Sequence, residues 1–239
     1  MMRPMRRRST GLPQMVRAQL SFGGANLPGV SGFSDSGDGV RATSTNGNGL
    51  SARSTNSVAI FAESTNSAGV AARGKPAGRF EGDVIVTGGG DLILEGADVA
   101  EQFDLAAGVA GASAVEPGLV VVLDDHGALA PCTRAYDTRV AGVISGAGDR
   151  KPALLLDRQL NGRREDADRR AIAVVGKVWC QTDASIVPVR VGDRLTTSST
   201  PGHAMVAIDR DLSFGSVLGK ALTPLGSGRG LVLMLVALG

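Results

Sequence analysis

Residues 39–68 read GVRATSTNGN GLSARSTNSV AIFAESTNSA, three blocks of ten that open on Gly39-Val40, Gly49-Leu50 and Ala59-Ile60. Ser-Thr-Asn falls on the same phase in each block, at residues 44–46, 54–56 and 64–66. Working outward, Val30, Val40, Leu50, Ile60, Val70 and Phe80 recur every ten residues across residues 29–88. Gly29, Gly39, Gly49, Ala59, Gly69 and Arg79 stand directly before them, and Gly32, Ala42, Ala52, Ala62, Ala72 and Gly82 stand two places after. A fixed period of this kind is the mark of a repeat architecture and takes precedence over local propensity.

Side chains alternate along a strand, so the apolar residue and the small residue two places on share one face of a short strand. Ser, Thr and Asn bond to nearby backbone groups, and Asn accepts the left-handed conformation of a tight turn. Each repeat is therefore expected to supply one strand and one turn. A helix is excluded, because a ten-residue period drifts against 3.6 residues per turn and Gly, Ser, Thr and Asn oppose helix.

One repeat cannot stand alone. Ordering ten residues costs on the order of 10 to 20 kcal/mol of backbone entropy, while burying one Val and one Ala contributes about 2 to 4 kcal/mol. One inward aliphatic side chain in ten is also too thin a core for a single-chain solenoid. Three chains about one axis bring three aliphatic side chains into each layer, with Gly and Ala allowing close backbone approach. The expected fold class is all-β, with a ten-residue-repeat stem forming an intertwined trimeric β-helix, followed by a compact β-barrel or sandwich-like C-terminal domain. The trimer core is assigned to Val30, Val40, Leu50, Ile60, Val70 and Phe80.

The pattern Gly-Val-x-Ala-x-Ser-Thr-Asn resembles the repetitive shafts of phage tail fibres, tailspikes and related bacterial surface proteins. The resemblance covers about sixty residues and implies an elongated trimeric stem. In that family receptor or enzymatic specificity normally resides elsewhere in the chain.

Composition agrees with a layered β protein. The 239 residues are 43% hydrophobic and 3% aromatic with 34 glycines, so the core must be built from Val, Leu, Ile and Ala. The glycines follow no three-residue period, which excludes collagen, and the apolar fraction excludes a wholly disordered chain. Net charge is +2, and residues 1–20 hold five arginines (Arg3, Arg6, Arg7, Arg8, Arg17) and no acid, which leaves −3 for the rest. This basic arm is expected to be disordered and is the one part suited to phosphate contacts, so nucleic acid is an unlikely partner elsewhere. The longest apolar run, residues 231–238, is far short of a membrane span. Residues 9–19 are broken by Gly11, Pro13, Gln14 and Arg17, so no secretory signal is expected. Cys132 and Cys180 are read as free structural thiols.

Past Gly88-Gly89-Gly90 the period ends. Short apolar runs at residues 91–95, 119–123, 140–145, 153–156, 171–180, 186–191, 205–208, 216–221 and 231–238 predict strands separated by Gly, Pro and Asp turns. One helix is possible at residues 97–106, and the charged stretch 157–170 predicts a solvated loop. Three regions follow: a basic arm at 1–20, a shaft at 21–90 and a β-rich head at 91–239. Residues 101–104, 122–124, 140–145 and 176–179 look loosely like the strand pattern of the self-cleaving intramolecular chaperone that ends phage neck appendages. That resemblance implies a domain that assists trimer assembly, and it carries over no cleavage nucleophile.

The densest polar constellation is residues 193–203. Ser198, His203 and Asp193 supply nucleophile, base and orienting group in type. The plainer reading is a Ser/Thr-Pro-Gly turn joining two strands, since no nucleophile-elbow sequence surrounds Ser198. Cys180 beside Asp183 and Ser185 invites a thiol-nucleophile reading, against which stands its place at the end of a buried strand. Asp124, Asp125 and Asp149 near turns, and Asp98, Glu101 and Asp104 on one helical face, carry oxygen ligands without calcium-loop spacing, so no metal is expected. Gly88 to Gly90 lacks the lysine of a phosphate loop, and no cofactor is expected.

The function expected is that of a non-enzymatic fibre or spike-like protein, self-associating as a homotrimer, with a head for assembly, attachment or recognition of a cell-surface glycan or protein. Its expected place is a virion or a cell-surface assembly. The alternatives are a self-cleaving peptidase and a carbohydrate hydrolase, the latter limited to Trp179 and Tyr136 as stacking platforms.

Overall fold

A computed structural model describes residues 32–109, 115–158 and 169–239. The basic arm, Val30 of the expected stem core, and Arg163, Arg164, Glu165, Asp166 and Asp168 of the charged loop lie outside the described residues. The chain divides into two units at Val84/Ile85.

In the first unit, bends recur at residues 35–37, 45–47, 55–57 and 65–67. Each is closed by a serine hydroxyl accepting the backbone N–H three residues on: Gly37 to Ser34 and Gly47 to Ser44 at 2.9 Å, and Ser57 to Ser54 and Ser67 to Ser64 at 3.2 Å. Ser34 thus opens one further repeat that the Ser-Thr-Asn tripeptide does not mark. A Cβ on Gly49 would lie 3.2 Å from the Ala42 carbonyl oxygen, and one on Gly69 3.1 Å from that of Ala62, so a small residue at this phase lets the chain pass close to itself. No strand is present in residues 32–84. The turn of each expected strand-and-turn unit is therefore present in these residues, and its expected strand is not.

The second unit is all-β, with ten strands: β1 (Asp98–Asp104), β2 (Val120–Leu123), β3 (Leu129–Pro131), β4 (Val140–Ile144), β5 (Pro152–Leu156), β6 (Arg169–Asp183), β7 (Arg194–Thr197), β8 (Ala204–Val206), β9 (Val217–Ala221) and β10 (Arg229–Val236). Strand β6 organises it. Its second half pairs antiparallel with β10 from Gly176↔Val236 to Asp183↔Arg229. From there β10 pairs β9, β9 pairs β7, β7 pairs β8, and β8 returns to β6 at Thr182↔Ala204. These five strands close a barrel. Its interior holds Val178, Cys180, Leu195, Leu218, Val232 and Met234, a core of slim aliphatic side chains as the composition requires.

The first half of β6 pairs with β1 on one edge and β4 on the other, and the sheet continues through β2 to β3 and, beyond β1, to parallel β5. A bridge between Leu105 and Leu129 links the end of β1 to β3. Ile144, Ile172, Val121, Leu129 and Val115 form the core beneath. The two halves of β6 meet at Gly176, whose φ of +113° is one an L side chain rarely adopts. A Cβ there would stand 2.6 Å from the Ala97 carbonyl oxygen and 2.7 Å from Asp98 Cα, so only glycine lets β1 lie against the pivot.

Three expectations are corrected. Residues 97–106 hold β1 and no helix: the carboxylates spaced at i and i+3 imitate a helical face, but pairing with β5 and β6 on both edges decides the conformation. Residues 91–95 are exposed and unpaired. Residues 186–191 make a single bridge, Val189↔Leu225, and the chain then turns, with Arg190 N–H bonded to Asp193 Oδ2.

Candidate functional site

Strand β7 ends at Thr197 and β8 begins at Ala204, so residues 198–203 are the connection between two antiparallel strands. Ser198 N–H donates to the His203 carbonyl at 2.9 Å, closing the turn, and Thr200 N–H donates to Ser198 Oγ at 3.1 Å. His203 Nδ1–H donates to the Pro201 carbonyl at 2.7 Å. Asp193 lies before the other end of β7, where its Oδ2 accepts the Arg190 N–H at 2.7 Å. The structure therefore brings Ser198 and His203 to one turn and places Asp193 at the opposite end of the strand. No hydrogen bond joins the side chains of Asp193, Ser198 and His203 among the described residues.

Cys180 is fully buried in the barrel, and burial pushes its thiol up to about 12. Cys132 is buried as well and shifted upward by the same cause, its Sγ 3.3 Å from the His203 carbonyl oxygen. Both are free. A thiolate nucleophile needs the opposite shift.

Asp183, at the end of β6, accepts Ser185 N–H at 2.8 Å and Thr200 Oγ–H at 2.6 Å. Hydrogen bonds from Ser185 first and Thr200 second hold its carboxyl down to about 2. This carboxylate forms one wall of a cavity of about 180 Å3 with Ser198 and Thr200, while Tyr136, Ile186, Met205 and Ile208 form the apolar side. Tyr136 has a φ of +56° and its phenolic oxygen accepts N–H groups from Ile208 at 3.1 Å and Asp209 at 3.0 Å, so it anchors the loop after β8. The sequence offered Tyr136 only as a sugar platform, and its neighbours here are more than seventy residues away. Trp179, the other platform, donates its Nε1–H to Asp149 at 2.8 Å.

Asp98, Glu101 and Asp104 are spread along β1. Asp98 is buried, and neither of its oxygens nor the adjacent Ser145 Oγ has a partner in hydrogen-bond geometry. Burial raises its pKa above the ordinary carboxylate value. Asp124 caps its own turn through the N–H groups of His126 and Ala128, each at 2.8 Å. Among the described residues no three His, Cys, Asp or Glu side chains are grouped to hold a metal, and no helix is long and apolar enough to cross a membrane.

No family model and no curated protein matches the chain. Among solved structures, distant similarity is found to bacteriophage phi29 proteins. The C-terminal fragment of bacteriophage phi29 gene product 12 aligns with a TM-score of 0.39 and 16% identity over 59% of this chain and 100% of that one. The pre-mature form of phi29 gene product 12 aligns at 0.43 and 16% over 67% of this chain and 23% of that one. The N base of the phi29 head fibre gp8.5 aligns at 0.26 and 16% over 59% and 90%.

Proposed function

We propose that this chain is a structural fibre protein that assembles as a homotrimer through its repeat stem and serves in a virion, with the β head supporting assembly or attachment. One observation carries the reading. At the ten-residue phase Val40, Leu50, Ile60, Val70 and Phe80 are 64 to 76% exposed in the single chain, although all but Phe80, which follows Arg79, are flanked by the small residues that close packing needs. An apolar side chain repeated at fixed spacing on a stem without a core is a surface awaiting partners. The partner that matches its period at every repeat is another copy of the same stem.

Sedimentation equilibrium of the purified full chain tests the proposal. A mass three times that of the 24.3 kDa chain is expected. Ile60→Asp would place a carboxylate from each chain in one apolar layer, where burial without partners is costly, and should lower the mass toward that of the monomer. A monomeric wild-type protein would overturn the reading.

A further inference from the structure

Four adjacent barrel strands place one residue each in a single register row: Lys177 on β6 opposite Leu235 on β10, Leu235 opposite Lys220 on β9, and Lys220 opposite Arg194 on β7. Their chain neighbours Val178, Met234, Val236, Ala221 and Leu195 are buried in the barrel, so side-chain alternation turns the row outward, and all four residues are exposed. Arg194 and Lys220 also line an open cleft of about 310 Å3 with Val217, Gly219 and Ala237.

The row contains three cations and no acid, whereas residues 21–239 carry −3 once the five arginines of residues 1–20 are set apart from the chain's +2. None of the three cations makes an ion pair among the described residues. Like charges directly opposite on neighbouring strands repel, and Arg194 and Lys220 are held in that relation by the ladder itself. We propose that this row is a binding site for an acidic polysaccharide.

Three strand steps of about 4.8 Å carry the cations over about 14 Å, with Leu235 separating Lys177 from Lys220 by about 10 Å. The ligand that fits is an extended polymer with anionic groups set apart by less polar ring faces. Nucleic acid fits less well. It carries a phosphate every ~3.4 Å of strand and its single strands seek aromatic platforms, and no aromatic residue stands in the row. The site lies within one chain, so the inference goes beyond the fibre reading without depending on it.

The test uses the full-length protein and fluorescent dextran sulfate, with neutral dextran as the comparison, followed by anisotropy at low and physiological salt. Binding of dextran sulfate alone is expected, together with at least a tenfold loss in the double variant Lys220→Gln, Arg194→Gln. The stem variant Arg53→Gln, Arg73→Gln removes the same charge and should bind as wild type. Equal loss in both variants, or loss only when the five arginines of residues 1–20 are replaced by Gln, would overturn the proposal. So would a DNA duplex that outcompetes dextran sulfate. The sedimentation mass of the row variant should equal that of wild type, which keeps this outcome separate from that of trimer assembly.

Discussion

Nε of Arg169 donates to Oδ1 of Asp104 across 3.1 Å, although 65 residues separate them in the chain. The same guanidinium reaches the Asp157 carboxylate and backbone carbonyl and the Gln102 carbonyl. Arg169 begins β6, Asp104 ends β1 and Asp157 follows β5, so one side chain ties three strands at a common end. Its own side chain is 6% exposed, while those of Asp104 and Asp157 are 42% and 53% exposed. Its pKa is raised, first by the Asp157 hydrogen bond.

That asymmetry of exposure sets the first prediction. Removing the buried partner breaks every bond in this cluster at once, so Arg169→Ala should cost the head about 1.5 to 3 kcal/mol, the range of hydrogen bonds to charged groups. Asp157→Asn, at the exposed end, should cost under ~1 kcal/mol. Urea unfolding of the two variants checks the order. Equal costs would show that the guanidinium is held by packing alone.

Asp98 gives a prediction with a pH signature. Its folded pKa is raised by burial, so between the ordinary value of 3.8 and the raised one the folded state binds more protons than the unfolded state. Stability conferred by the protonated form is therefore present at acid pH and lost as pH rises through the folded pKa. Asp98→Asn should raise stability near pH 7, because the amide occupies the same place and cannot ionise there. The gain should vanish near pH 4. A gain independent of pH would mean that the carboxylate is not the cause.

How much of this was legible in the sequence depends on where each signal lies. Strand β6 announces itself in a run from Ala171 to Cys180 of alternating and β-branched residues, and the barrel strand β10 in an apolar run from Leu231. Strand β7 did not, because Leu195 is the only large apolar residue in it. The hydroxyl of Thr196 reads as turn chemistry until the structure shows it buried and donating to the Ser216 carbonyl at 2.8 Å. Strand β3 is three residues long and ends in Pro131, beneath any pattern of period two. The cationic row is invisible in the chain because Lys177, Arg194, Lys220 and Leu235 belong to four strands whose register only tertiary pairing sets. The serine turn was legible in part: the Ser/Thr-Pro-Gly pattern read a turn over residues 196–202, and the structure has the connection at 198–203 with Thr196 and Thr197 in β7.

That turn yields the third prediction. Ser198 Oγ accepts Thr200 N–H, and no base reaches it among the described bonds. Ser198→Ala should cost about 0.5 to 1.5 kcal/mol of stability, the worth of one hydrogen bond, and leave the mass of the purified chain unchanged on a denaturing gel. A band pattern that differs between wild type and Ser198→Ala would show instead that the hydroxyl cuts the chain. Cys180→Ala should behave alike, since a thiol shifted to about 12 is protonated throughout the physiological range.

The last prediction concerns register. In the stem, Val40, Leu50, Ile60 and Val70 sit between the same small residues, and Ser34, Ser44, Ser54 and Ser64 close the same bend. Chains displaced by ten residues would therefore meet the same partners in nearly every layer, and a displaced assembly would lose only its terminal repeat. Side-chain pattern pins a strand only against slips that change which face is buried, and a slip of one whole repeat changes none. In the trimer proposed above, something outside the repeat has to set the level of the chains, and we propose that the unit from Ile85 onward, which has its own barrel core, does so. Residues 21–84 expressed alone should give a broad distribution of masses by sedimentation velocity, whereas the full chain should give one species. Placing an unrelated trimeric domain after Val84 should restore the single species, because alignment and not the chemistry of the head is what the stem lacks. A stem fragment that sediments as one sharp trimer by itself would remove this role from the head and leave it attachment alone.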